Sequence, residues 1–194
     1  MRKLTVDDIV DHRAYERERE GFRAGIIEMK KRRRIALGDI ITVVFENTDT
    51  MRFQVQEMAR AERMLTDEAI AHEVETYNEL IPDSGELSAT LFIEITNDAA
   101  LRDWLLKLIG IEFRVRFELG DGSSQVEAVP SNEERLTRDD ITSTVHYLKF
   151  PFDAHQRAQL AFGPASLVVD HPAYRARVEL TEAQRNELAG DFGG

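Results

Sequence analysis

Apolar positions follow a helical period over most of residues 1–82 and a strand period over most of what comes after. Within residues 12–34, Tyr15, Phe22, Ile26, Met29 and Arg33 fall on one stripe at three- to four-residue spacing, which predicts a long helix. Ahead of it Thr5 reads as an N-cap, with Asp7 and Asp8 in a first turn. Gly38-Asp39 ends that segment, and the apolar run at residues 40–46 predicts a strand buried on both faces. A second helix is predicted over residues 48–65. A third, over residues 67–81, carries Ile70, Val74, Tyr77 and Ile81 on one stripe before Pro82-Asp83-Ser84-Gly85 breaks the chain.

Beyond that break the period shortens to two. Leu87, Ala89, Leu91, Ile93 and Ile95 alternate with mostly polar residues, predicting a strand with one inward face. Asn97 caps a short helix whose apolar stripe is Leu101, Trp104, Leu105, Leu108 and Ile109, closed by Gly110. Strict alternation then predicts a hairpin over residues 111–129, turning at Gly120-Asp121-Gly122, with Phe113, Val115 and Phe117 inward. Residues 144–150 read as another strand, and residues 165–169 and 173–180 as a hairpin around Asp170-His171-Pro172. Thr181 and Gln184 form a capping box for a last short helix that Gly190 ends. The expected fold is α+β, with N-terminal helices packed on an antiparallel or mixed β-sheet, because the strands follow one another through turns. No Gly-, Pro- or Ser-rich linker separates the helix-rich part (1–82) from the strand-rich part (83–194), so a single domain over 1–194 is expected. Residues 4–9 and 136–141 echo each other, but six residues are too few for a structural repeat.

Composition narrows the classes. With 42% hydrophobic and 31% charged residues the chain is a folder, not a disordered polymer. Its apolar runs are far shorter than a bilayer requires, and the N-terminus lacks the apolar stretch of a secretory signal. The absence of cysteine excludes disulfides, iron–sulfur ligation, thiolate zinc sites and thiol catalysis. Together these features favour the cytoplasm. A net charge of −11 argues against nucleic acid or anionic lipid as a general partner. Against that background Lys30, Lys31, Arg32, Arg33 and Arg34 form a run of five cations. It either offsets a helix dipole at a solvated end or contacts an anion.

Most catalytic signatures are missing: there is no phosphate-binding glycine loop, no nucleophile elbow, and no His-Glu-x-x-His or Glu-x-x-His. Glu68 and His72 are spaced as a helix pair. His146 shares a strand face with Leu148 and Phe150, as a hydrogen-bonded core histidine or a functional one. Asp170 and His171 sit at a turn, where an Asx turn before Pro172 competes with a functional reading. The densest polar stretch runs over residues 46–63 and holds the ligand- or partner-binding candidates Glu46, Gln54, Glu57, Arg60 and Glu62. On a helical wheel Glu62 falls amid Met51, Val55, Met58 and Leu65, while Arg19 and Arg33 fall on the apolar stripe of the first helix. Inward charges must be paired or liganded. Glu62 is therefore expected to be buried, held by Arg19 or Arg33, or else to line a polar or metal site with Glu57 and Arg60.

Several stretches carry a family resemblance across nearly the whole chain: Phe45-Glu46-Asn47-x-Asp49-Thr50, Gln54-x-Gln56-Glu57-Met58-x-Arg60-Ala61-Glu62, Tyr77-Asn78-Glu79-Leu80-Ile81-Pro82, Val145-His146-Tyr147-Leu148-x-Phe150 and Asp170-His171-Pro172-x-Tyr174. The chain resembles an uncharacterised bacterial family of unknown function, often encoded beside rubrerythrin-like and iron–sulfur oxidoreductase proteins. The resemblance implies an accessory role in redox or peroxide stress, with such a protein as partner, and assigns no catalytic residue, metal or cofactor. The competing expectation is a carboxylate- and histidine-dependent enzyme, metal-dependent or not, using Glu57, Glu62 and a histidine. RNA contact through the five-cation run fits the charge least, and self-association is left open.

Overall fold

The first long helix starts where a carboxylate can cap it. In a computed structural model that describes residues 1–131 and 141–193, Asp11 accepts from the Arg13 and Ala14 amides at 2.9 Å and α1 spans His12–Arg33. Thr5 opens only a single 3-10 turn, Val6–Asp8. After Arg33 the period switches to two: Ile35 and Leu37 are buried between exposed Arg34 and Ala36, making a strand, β1 (Arg34–Leu37), that was not expected from the sequence. Gly38 turns the chain with φ +71°, against the Tyr174 hydroxyl, where a Cβ would collide. β2 (Ile41–Glu46) returns antiparallel to β1 and is buried on both faces, as expected.

Next come α2 (Thr48–Ala61), α3 (Asp67–Asn78), β3 (Glu86–Ile93) and α4 (Asp98–Lys107). Asn47, Thr66 and Asn97 cap the three helices with their side chains. β4 (Val115–Leu119) and β5 (Ser124–Glu127) form a hairpin, and after Ala128 the chain changes sheets as β6 (Val129–Pro130). The rest is β7 (Val145–Pro151), α5 (Ala154–Phe162), β8 (Ala165–His171), β9 (Tyr174–Glu179), α6 (Glu182–Ala189) and a closing 3-10 turn, Gly190–Gly193. The fold is α+β with two antiparallel sheets, of order β1-β2-β3-β7-β6 and β5-β4-β8-β9. The echo over residues 136–141 falls largely outside the described residues.

The main core lies between the sheets. Phe45, Phe117 and Phe150 meet there with centroids 5.0 to 5.9 Å apart, at separations that favour tilted and edge-to-face rings. A smaller core joins the N-terminal segment to α2 and α3 through Leu4, Ile9, Met51, Val55, Val74 and Ile81. At one edge the Tyr174 hydroxyl donates to the Leu37 carbonyl at 2.6 Å, linking β9 to β1.

Three expectations need correction. Phe113 is 63% exposed, not inward: Gly110 in the left-handed region starts a 3-10 turn, Ile111–Phe113, and alternation begins only at Val115. α2 ends at Ala61, not near residue 65, in a Schellman motif built around Arg63 at φ +53°. The Met64 amide there reaches the Ala59 carbonyl at 2.9 Å. That turn leaves Glu62 exposed at the C-cap, with no cation paired to it among the described residues. The inward arginines find other acids. Arg19 donates to both oxygens of Glu57 at 2.8 Å, and Tyr15 to one at 2.6 Å, clasping α1 to α2.

Arg33 is fully buried. Its Nε donates to the Phe45 carbonyl at 3.0 Å, its Nη1 to Glu187 at 3.3 Å and to Asp191 at 3.1 Å, and its Nη2 to Asp191. One guanidinium thus joins α1, β2, α6 and the last turn. Arg33→Met should destabilise the fold by about 3–5 kcal/mol, because it strands the buried Asp191 carboxylate, whereas Glu62→Gln should stay within about 0.5 kcal/mol of wild type. Urea titrations compare them directly, and equal midpoints for Arg33→Met and wild type would refute the assignment.

Candidate functional site

The face of the larger sheet turned away from the main core is polar. Strand register sets two rows across it, Glu46–Ser88–Lys149 and Val44–Thr90–Tyr147. Neighbouring strands lie about 4.8 Å apart, so Glu46 and Lys149 stand on the order of 10 Å apart along one row. Glu46, Ser88 and Thr90 are buried. Thr90 Oγ1 donates to Glu46 Oε1 at 3.1 Å, while Glu46 Oε2 is buried with no hydrogen-bond partner among the described residues. A carboxylate in that position carries an unmet demand for a donor.

At Lys149 the row meets an open cleft of about 380 Å³, lined by Lys3, Asn78, Glu79, Asp83, Ser131 and Lys149. Its charges alternate in sign. Lys149 Nζ lies 3.0 Å from Glu86 and 3.7 Å from Asp83, and Lys3 Nζ lies 3.0 Å from Asp83. Lys3, then Lys149, holds Asp83 below the ordinary carboxylate range. Lys3 also donates to the carbonyls of Asn78 and Ile81, at 3.0 and 2.6 Å, which fixes the N-terminal segment as one wall. Next to Asn78, Tyr77 is half-buried: burial pushes its pKa up, and a hydrogen bond with the Gln54 amide opposes that shift. The cleft offers paired donors and acceptors, and the buried Glu46 carboxylate lies beyond its lining, at the far end of the row that Lys149 begins. Such chemistry suits recognition of a polar group. Among the described residues no three His, Asp or Glu side chains gather as a metal-binding set.

The profile of a family described as "Protein of unknown function (DUF3501)" matches residues 3–192. The chain belongs to this family. A crystal structure of a protein of unknown function from Burkholderia pseudomallei K96243 is 34% identical and superposes with a TM-score of 0.90, covering 98% of this chain and 99% of that one. No curated protein matches.

In this DUF3501 member the candidate residues separate into distinct places. Glu46 belongs to the polar face, and Gln54, on α2, bonds Tyr77. Glu57 is instead the clasp for Arg19 and Tyr15, and those hydrogen bonds, Arg19's first, hold its pKa down to about 2 against the upward push of burial. Arg60 pairs with Glu16 at 2.5 Å, and Glu62 faces solvent. His171 is buried with both nitrogens used, Nδ1 accepting from the Ala173 amide at 3.2 Å and Nε2 donating to the Ile109 carbonyl at 3.1 Å. Asp170 pairs with Arg175 at 2.9 Å on the outer face of the smaller sheet. The five-cation run disperses: Lys31 pairs with Glu28, Arg32 and Arg33 with Glu187, and Arg34 with Glu94. Lys30 alone has no ion pair among the described residues. Lys3, Tyr77, Asn78, Asp83, Ser88, Thr90 and Lys149 were not singled out, because a cross-strand row becomes visible only once register is known.

His146 lies on the opposite face of the sheet, toward the main core, so Glu57, Glu62 and this histidine do not converge. Its Nε2 lies 3.0 Å from the Ser143 carbonyl, an acceptor only, so that nitrogen carries the proton; Thr142 Oγ1 is also 3.0 Å away. Nδ1 faces the buried Glu112 carboxylate at 3.9 Å. Burial lowers the His146 pKa below 6.5 and outweighs the attraction of Glu112. The unfolded chain therefore binds this proton more tightly than the folded one, and stability from this group is lost as pH falls from 6.5 through the folded value. Asp191 works the other way, since burial raises its carboxyl to about 6. His146→Gln isolates the histidine: its unfolding free energy should fall less steeply than wild type below pH 6.5. Parallel pH profiles for the two proteins would refute the assignment.

Proposed function

We propose that this chain is a non-catalytic accessory protein of a bacterial redox- or peroxide-stress system, acting in the cytoplasm by binding a polar ligand or partner group at the cleft. The binding half of this reading rests on one observation, the buried Glu46 carboxylate with an oxygen that meets no donor among the described residues. A fold that leaves such a group in place, on a row leading to a cleft of alternating charges, is suited to accept a donor from outside. The setting rests on the resemblance to a family encoded beside rubrerythrin-like and iron–sulfur oxidoreductase proteins, which makes such a protein the partner of choice.

Calorimetric titration with the purified rubrerythrin-like protein of the same organism tests both halves. The expected outcome is a saturable complex that Lys149→Glu weakens about tenfold, or about 1.4 kcal/mol, through reversal of charge at the cleft. Absence of binding heat, or sustained peroxide consumption by this chain alone, would overturn the proposal.

A further inference from the structure

Helix α4 packs one apolar face on the main core, and a second face that continues past its end carries exposed apolar side chains. Leu101, Trp104, Leu105 and Leu108 pack on the main core. Arg102, Leu106 and Ile109, at i, i+4 and i+7, line the other face. Leu106 is 56% exposed and Ile109 37%, and Phe113 follows at 63% after the Gly110 turn. Three large apolar side chains exposed within eight residues form a patch, not scattered surface. Arg102 and Arg114 flank it, both exposed and with no ion pair among the described residues. The patch is thus locally cationic on a chain of net charge −11.

The corner between α2 and α3 has the opposite character. Leu65, 80% exposed, projects there among exposed Glu62, Asp67 and Glu68, none ion-paired among the described residues. Arg63 is the one cation of that corner, so three acids surround the apolar knob against a single base. The two surfaces belong to different elements and complement each other in both charge and apolar content. Either surface docked on its own copy would set like charges together, which disfavours a two-fold symmetric contact.

We infer that a second copy of this chain docks head to tail, seating Leu65 of its acidic α2–α3 corner on the Leu106–Ile109–Phe113 patch between Arg102 and Arg114. The inference is independent of the cleft and of its ligand. One apolar knob against three apolar side chains is small beside the roughly 1,600 Å² of a standard stable interface, so the contact is weak and concentration-dependent. A heterologous contact either closes into a ring or continues as an open chain of copies.

Sedimentation velocity over the micromolar to millimolar range tests it on the full chain. Wild type should shift to larger species as concentration rises. Phe113→Asp and Leu65→Asp should each remain monomeric, with unchanged far-UV circular dichroism because both side chains already face solvent. An equimolar mixture of the two variants should form a dimer and stop there: the intact corner of one fits the intact patch of the other, and the remaining surfaces are blocked. A wild type that stays monomeric throughout would overturn the inference. So would assembly indifferent to either substitution, or a mixture that stays monomeric while wild type assembles.

Discussion

A buried guanidinium governs how this chain closes. Arg33 lies at the last residue of α1, and its donors reach the β2 backbone and two acids from the final turns of the protein. Desolvating a cation is expensive, and the cost is offset only if every donor is met. Here the partners come from sequence positions 12 to 158 residues away. The pair therefore demands that the C-terminal helix return to the end of the first one. That return brings α6 against α1 and sets Phe192 beside Phe152, with ring centroids 5.2 Å apart. The main core is thereby capped by residues from the end of the chain.

The same rule sorts other carboxylates largely withdrawn from water, on whichever side of a sheet they lie. Glu57 is met by Arg19 and Tyr15, and Glu118 by Arg116 and Arg177. Satisfied pairs of this kind hold elements in register and leave nothing to offer a ligand. Glu46 departs from the pattern, as does Glu112 beside His146: one hydroxyl serves one Glu46 oxygen, and among the described residues nothing bonds its other oxygen or Glu112 Oε2. Glu46 is the last residue of β2, immediately before the Asn47 cap of α2. Folding tolerates the site; it does not use it.

Much of this architecture was legible from periodicity. The double-sided burial of β2, the inward face of β3, the Asn97 cap, the β8–β9 hairpin and the Thr181–Gln184 capping box follow from local pattern, and the fold keeps them. What failed did so for local backbone reasons. α2 ends on an arginine in a conformation that glycine normally signals, so residues 62–65 read as helix and carried Glu62 onto an imaginary inward face. Phe113 continues an alternating pattern across a 3-10 turn whose period is three, so it rotates outward. β1 hid behind the cationic run, and α5 went unread although Asp153 and Gln156 form a capping box at its start.

The candidate site was legible only in part, and the reason is topological. Glu46 and Gln54 stand out in one polar stretch, yet the residues that give Glu46 its meaning are Ser88, Thr90 and Lys149, more than forty positions away and contributed by two other strands. Sequence separation conceals such a row, because each member looks like an ordinary polar residue on the outer face of its own strand. Register makes the row, and register is set by which alternate residues the main core claims: Phe45, Leu87, Ala89, Leu148 and Phe150 point inward, so their neighbours must point to the other face. A one-residue slip in β3 would exchange Ser88 and Thr90 for Leu87 and Ala89 and remove the hydroxyl that holds Glu46. The polar face is therefore a by-product of the apolar pattern on its reverse, and substitutions in the core that shift register would reach the site without touching it.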